Sequence, residues 1–148
     1  MPSAGGEADL AVKGLIDFLK SVPLFQKLSS DSLEALVGRC VLQRFEVGET
    51  VLEENVEGGA LYLVFSGEVE VSKLGDKGQY VLFNRLNSMD YFGEMSIMTG
   101  EATAARITAA TPCEIIVISR EDFDEILSRY PEIYQHLAIT LSSRLRHT

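Results

Sequence analysis

Residues 92–109, "FGEMSIMTGEATAARITA", bring together two glycines at Gly93 and Gly100, a carboxylate at Glu94 and a single cation at Arg106. The pattern reads as a turn, a short helix over "MSIM" (95–98), then a small-residue loop entering a β-strand. Amides at such a helix start have no intrahelical acceptor and share the positive end of the helix dipole, so they can hold an anion. Gly100 and the "ATAA" run (102–105) keep the loop tight. Side chains answer an anion's charge poorly here, since Arg106 stands against both Glu94 and Glu101.

Catalytic constellations are not visible elsewhere. The histidines, His136 and His147, fall on a terminal helical pattern, so no strand supplies a His cluster for a metal. No Ser/His/Asp or Cys/His arrangement is legible. Cys40 and Cys113 are isolated, without metal spacing, and are expected to be reduced, buried strand residues. The expectation is a binding protein with no metal or cofactor, not an enzyme.

The elements that must position residues 92–109 follow from periodicity. Residues 1–8 read as a flexible tail. "DLAVKGLIDFLKSV" (9–22) places Leu10, Leu15, Phe18 and Leu19 at helical spacing, and "SSDSLEALVGRC" (29–40) opens on capping residues before Leu33, Leu36 and Val37. From Cys40 to Ser119 the pattern changes to about eight short runs rich in β-branched and aromatic residues. Turn signals such as "NVEGG" (55–59) and "GDKG" (75–78) separate them. Short strands at that density predict an antiparallel sandwich or jelly roll. Helical spacing then returns over 120–147, with Pro131 at a first-turn position and Ile133, Tyr134, Leu137, Ala138, Leu141 and Leu145 on one face. Residues 9–148 thus read as one domain: N-terminal helices over 9–39, a β-roll over 40–119, and C-terminal helices over 120–147.

Composition narrows the function classes. The chain has 148 residues, 46% of them hydrophobic, and a mean hydropathy of +0.10, enough for a packed core. Its formal net charge of −9 disfavours nucleic acid and anionic membrane as partners. No run approaches the roughly 20 apolar residues that span a bilayer. The start, "MPSAGGEADL", has neither the basic nor the apolar region of a signal peptide, so the expected location is cytoplasmic, as a whole protein or as a piece of a larger one.

With "VPLFQKLS" (22–29), "RFEVGETVLEENVEGGALYLVFSGEVEV" (44–71), "FGEMSIMTGE" (92–101) and two closing helices in this order, the chain resembles the cyclic-nucleotide-binding domain family over roughly residues 18–146. The resemblance implies a mainly β fold: a double-stranded β-helix, or jelly-roll, barrel flanked by N- and C-terminal helices. It implies cAMP or cGMP held in a phosphate-binding cassette formed here by Phe92, Gly93, Glu94, Met95, Ser96, Thr103, Ala104, Ala105 and Arg106. Gly93 would let backbone approach the ligand, and Glu94 would accept a hydrogen bond from the ribose 2′-OH. Tyr134 and Leu137 would form a lid over the purine, with the C-terminal helix carrying the signal. Val51, Leu63 and Phe83 would line the pocket or fill it. Ala104 stands where a hydroxyl residue favours cGMP in the family, so cAMP is the favoured ligand.

One position departs from the family pattern. Where the family carries an arginine that forks onto the exocyclic phosphate oxygens, this chain has Thr103. Strand alternation puts 103 and 105 on one face and 104 and 106 on the other, so Arg106 is expected to point away from the phosphate unless a bulge or one-residue slip brings it round. Losing one charge-assisted contact of about 1.5–3 kcal/mol weakens binding by about one to two decades. A second reading therefore stands beside the sensor: a degenerate, non-binding roll kept for protein interaction or dimerisation through its last helix. Expected partners are a cyclic nucleotide and either a second copy or a fused effector domain. Direct nucleic-acid binding and membrane insertion are not expected.

Overall fold

The computed structural model describes residues 14–26, 28–57 and 59–130, together with Pro131, Gln135 and Ala138. It divides into a helical unit, Met1–Arg39 with Glu121–Thr148, and a β unit, Cys40–Arg120.

The β unit is a jelly roll of eight strands: β1 (Val41–Phe45), β2 (Thr50–Leu52), β3 (Ala60–Ser66), β4 (Val69–Leu74), β5 (Tyr80–Leu86), β6 (Tyr91–Phe92), β7 (Arg106–Ala109) and β8 (Cys113–Ser119). Each strand-like run in the sequence has its counterpart. Two four-stranded antiparallel sheets result, in the orders β1-β8-β3-β6 and β2-β7-β4-β5. Strands β3 and β8 lie inside their sheet and are buried on both faces, hence the nearly continuous apolar runs "ALYLVF" and "IIVI". Between the sheets, Val64, Val69, Leu86, Phe92, Ile107, Ala109, Cys113 and Ile115 form one core, with Val51 packed against it. Leu63 is also fully buried. Phe83 does neither of the expected jobs: it lies half exposed on the edge strand β5, under the Lys73 ammonium at 4.4 Å from the ring centre.

The helical unit contains α1 (14–21 of the described residues), a 3₁₀ turn at Pro23–Phe25, α2 (Ser30–Val37) and most of α4 (Arg120–Arg129). The N-cap of α2 is Ser29, whose Oγ accepts from the Ser32 amide at 3.1 Å. In α4, Glu121 and Asp122 fall in the first turn and Arg129 in the last, each matching the local sign of the helix dipole. Arg39 pairs with Asp122 and Glu125, and Ser32 hydrogen-bonds Tyr130. The expected tail over 1–8 lies outside the described residues.

Both cysteines are free thiols. Cys113 is buried on β8 as expected, whereas Cys40 is half-buried and sits just before β1 rather than on a strand.

Candidate functional site

The cassette begins where β6 ends. Tyr62 pairs with Phe92 across β3 and β6, and their rings stack in parallel with centroids 5.0 Å apart. Phe92 is therefore a core residue, and burial pushes the Tyr62 phenol above its usual pKa. Gly93 follows in the left-handed conformation, φ +88°, and is the N-cap of α3 (Glu94–Thr99). Its lack of a side chain is required by the roll itself. A Cβ there would stand 2.8 Å from the Ala60 carbonyl oxygen and 2.9 Å from Tyr62 Cδ2. The close neighbour of this glycine is thus β3.

Glu94 opens α3 and is 2% exposed, so its carboxylate sits at the positive end of a short helix. Ser96 is buried as well, while Met95 is 38% exposed. The α3 backbone is anchored from a distance that the sequence did not reveal. Arg120, first residue of α4 and last of the β unit, donates from Nη2 to the Ser96 carbonyl oxygen at 3.0 Å. Its own amide donates to the Gly59 carbonyl oxygen at 2.9 Å. One residue thus ties α3, the start of β3 and the root of α4.

Thr103 is 7% exposed and bound to the loop after β2 on four sides. Its hydroxyl donates to the Glu53 carbonyl oxygen at 2.6 Å and accepts from the Val56 amide at 3.0 Å. Its amide donates to the Val56 carbonyl oxygen, and its carbonyl oxygen accepts from the Asn55 amide, both at 2.8 Å. These bonds hold Asn55 at φ +61°, a conformation that asparagine tolerates better than most residues. Ala104 is exposed and Ala105 half-buried.

Arg106 opens β7 and is half-buried. Its Nε donates to Glu53 Oε1 at 2.8 Å, and its guanidinium lies 3.7 Å from the centre of the Tyr80 ring. Glu53 therefore receives both cassette residues, Thr103 on its backbone and Arg106 on its carboxylate. Neither Glu53 nor Arg120 stood out in the sequence, since both contacts depend on which strands become neighbours. Tyr134 and Leu137, expected as the lid, lie outside the described residues.

A buried acid thus heads α3, with a left-handed glycine before it and a small-residue loop returning to the roll after it. The sequence profile of the family described as "Cyclic nucleotide-binding domain" matches residues 42–130. The chain belongs to the cyclic nucleotide-binding domain family. This family is a ligand-sensing domain found in cAMP-dependent protein kinase regulatory subunits and in cAMP-activated transcriptional regulators. The cAMP-dependent protein kinase regulatory subunit of Yarrowia lipolytica is 34% identical over 74% of this chain and 28% of its own length. The chain likewise spans only part of the other curated relatives it matches.

Among solved structures, the regulatory domain of Toxoplasma gondii PKA with cAMP superposes with a TM-score of 0.83 at 20% identity. It covers 93% of this chain and 52% of that one, a likeness of fold. The regulatory subunit of a cAMP-independent protein kinase A from Trypanosoma cruzi, bound to guanosine, gives a TM-score of 0.76 at 25% identity. There the coverage is 90% of this chain and 48% of the other. No helix of the described residues is long and apolar enough to cross a membrane, and no group of three or more His, Cys, Asp or Glu among them could hold a metal ion.

Proposed function

We propose that residues 9–148 form one regulatory, non-enzymatic cytoplasmic domain that senses a purine ribonucleotide through its cassette. It binds a cyclic nucleotide, cAMP ahead of cGMP. Glu94 accepts the ribose 2′-OH, the amides of residues 93–96 face the phosphate, and Thr103, Ala104, Ala105 and Arg106 close the far side. The observation that carries this reading is the Glu94 carboxylate, buried at the first position of α3 directly after left-handed Gly93. An ionised carboxylate accepts several hydrogen bonds, and ribose hydroxyls are donors that suit it. The guanosine-bound Trypanosoma cruzi structure supports a purine-ribose ligand in this kind of roll. Exposed Ala104 has no hydroxyl to offer a guanine edge, which supports the order cAMP over cGMP. The signal would leave through the C-terminal helix, with Tyr134 and Leu137 as lid, toward a second copy or a fused effector domain.

The test is titration of labelled cAMP and cGMP into the 148-residue chain. Saturable binding is expected, tighter for cAMP, and Glu94→Gln is expected to weaken it about tenfold with an unchanged circular dichroism spectrum. Absence of saturation at millimolar ligand defeats the reading.

The committed hydroxyl of Thr103 and the paired guanidinium of Arg106 favour a second reading, a roll that binds no nucleotide and serves protein interaction. A dimer whose size is indifferent to nucleotide, measured by light scattering, distinguishes it.

A further inference from the structure

Resting on the reading of the roll as a purine-ribose site, we infer that its phosphate end is electrostatically blank, so that the site takes an uncharged purine nucleoside at least as tightly as the cyclic nucleotide. The β unit contains six cations: Arg44, Lys73, Lys77, Arg85, Arg106 and Arg120. Arg44 pairs with Glu114 at 3.2 Å, and Arg85 with Glu68 at 3.3 Å and Glu70 at 3.8 Å. Lys73 lies over Phe83. Arg106 is held between Glu53 and the Tyr80 ring, and the Nη2 of Arg120 is directed to the Ser96 carbonyl oxygen. Lys77 sits in the β4–β5 hairpin turn, not in the cassette.

The neutral donors are committed too. The single hydroxyl proton of Thr103 is on the Glu53 carbonyl oxygen, and its lone pair takes the Val56 amide. Turning that hydroxyl to a ligand would strip both groups of this partner. What remains for an anion is the start of a six-residue helix whose first side chain is the buried acid Glu94, with the exposed acid Glu101 beyond its end.

A phosphodiester seated there meets no uncommitted arginine among the described residues of the β unit, whereas at that end a nucleoside brings neutral hydroxyls, which need no cation. Ligand affinity should therefore fall as ligand charge rises.

Calorimetric titration of the full chain with adenosine, cAMP and adenosine 5′-monophosphate tests this, because the three share base and ribose and differ in charge. The expected order is adenosine equal to or tighter than cAMP, with adenosine 5′-monophosphate weakest by about tenfold or more. Cyclic AMP tighter than adenosine by about tenfold or more would overturn the inference while leaving the purine-ribose site standing. No heat and no competition with any of the three overturns both. In Thr103→Arg, a guanidinium is added at the cassette, and cAMP should tighten about tenfold with adenosine unchanged. Equal tightening of both ligands would count against the charge argument. If that variant does not fold, the order measured on the unaltered chain decides alone.

Discussion

An alanine at position 93 would have to place its Cβ 2.8 Å from the Ala60 carbonyl oxygen while keeping φ near +88°. At Gly100, φ is +76° but nothing lies within 4 Å of the added atom. The two glycines therefore separate two costs. Left-handed backbone alone costs an L-residue about 1–2 kcal/mol, the loss expected for Gly100→Ala. Gly93→Ala should lose about 1–3 kcal/mol more, because the edge of β3 cannot recede without disturbing the ladder. Urea midpoints of the two variants check this; equal losses would mean that β3 yields freely. The site itself follows the same logic of crowding. Phe92 and Ser96 are buried in packing and Thr103 in hydrogen bonds, leaving Glu94 as the buried ionisable group that the cassette sequence itself supplies.

At the scale of elements, the loop after β2 and the segment before β7 act as one piece through Thr103 and Glu53. Thr103→Val keeps the shape and removes both hydroxyl bonds, so the Glu53 carbonyl and the Val56 amide lose a buried partner. A loss of about 1–3 kcal/mol is expected, seen as a lower urea midpoint with an unchanged slope. The Arg106–Glu53 pair contributes less, since its side chains are 32% and 51% exposed and exposed pairs are worth about 0–1 kcal/mol. Thr103 thus secures the loop, and Arg106 with Tyr80 covers it. The Ser96 carbonyl oxygen is held by the residue at which β8 gives way to α4.

At the scale of the whole molecule, the net charge of −9 acts on any anionic ligand before contact. Screening lengths are about 10 Å at 0.1 M salt, so raising ionic strength weakens that repulsion. Cyclic AMP should bind a few-fold tighter at ~0.5 M than at ~0.05 M salt, whereas neutral adenosine should not respond. Titrations at both salt levels check it. Weakening of cAMP by salt would reveal a cation on the phosphate and contradict the charge account.

Local order was legible in the chain alone. β-Branched runs separated by turn residues identified all eight strands, because side-chain alternation and turn chemistry act over a few residues. The short helix after Gly93 was equally plain over 95–98, and the structure extends it to Glu94–Thr99. What only the tertiary structure decided was partnership. Glu53 meets Arg106 because β2 pairs with β7 across more than fifty residues, and Arg120 reaches Ser96 because the cassette helix packs against β3, the strand beside β8. Such contacts depend on register and strand order, which long-range burial sets and no local pattern encodes. The same limit explains Gly93 and Thr103. The sequence places a glycine and a threonine in this stretch, and packing engages both with the roll.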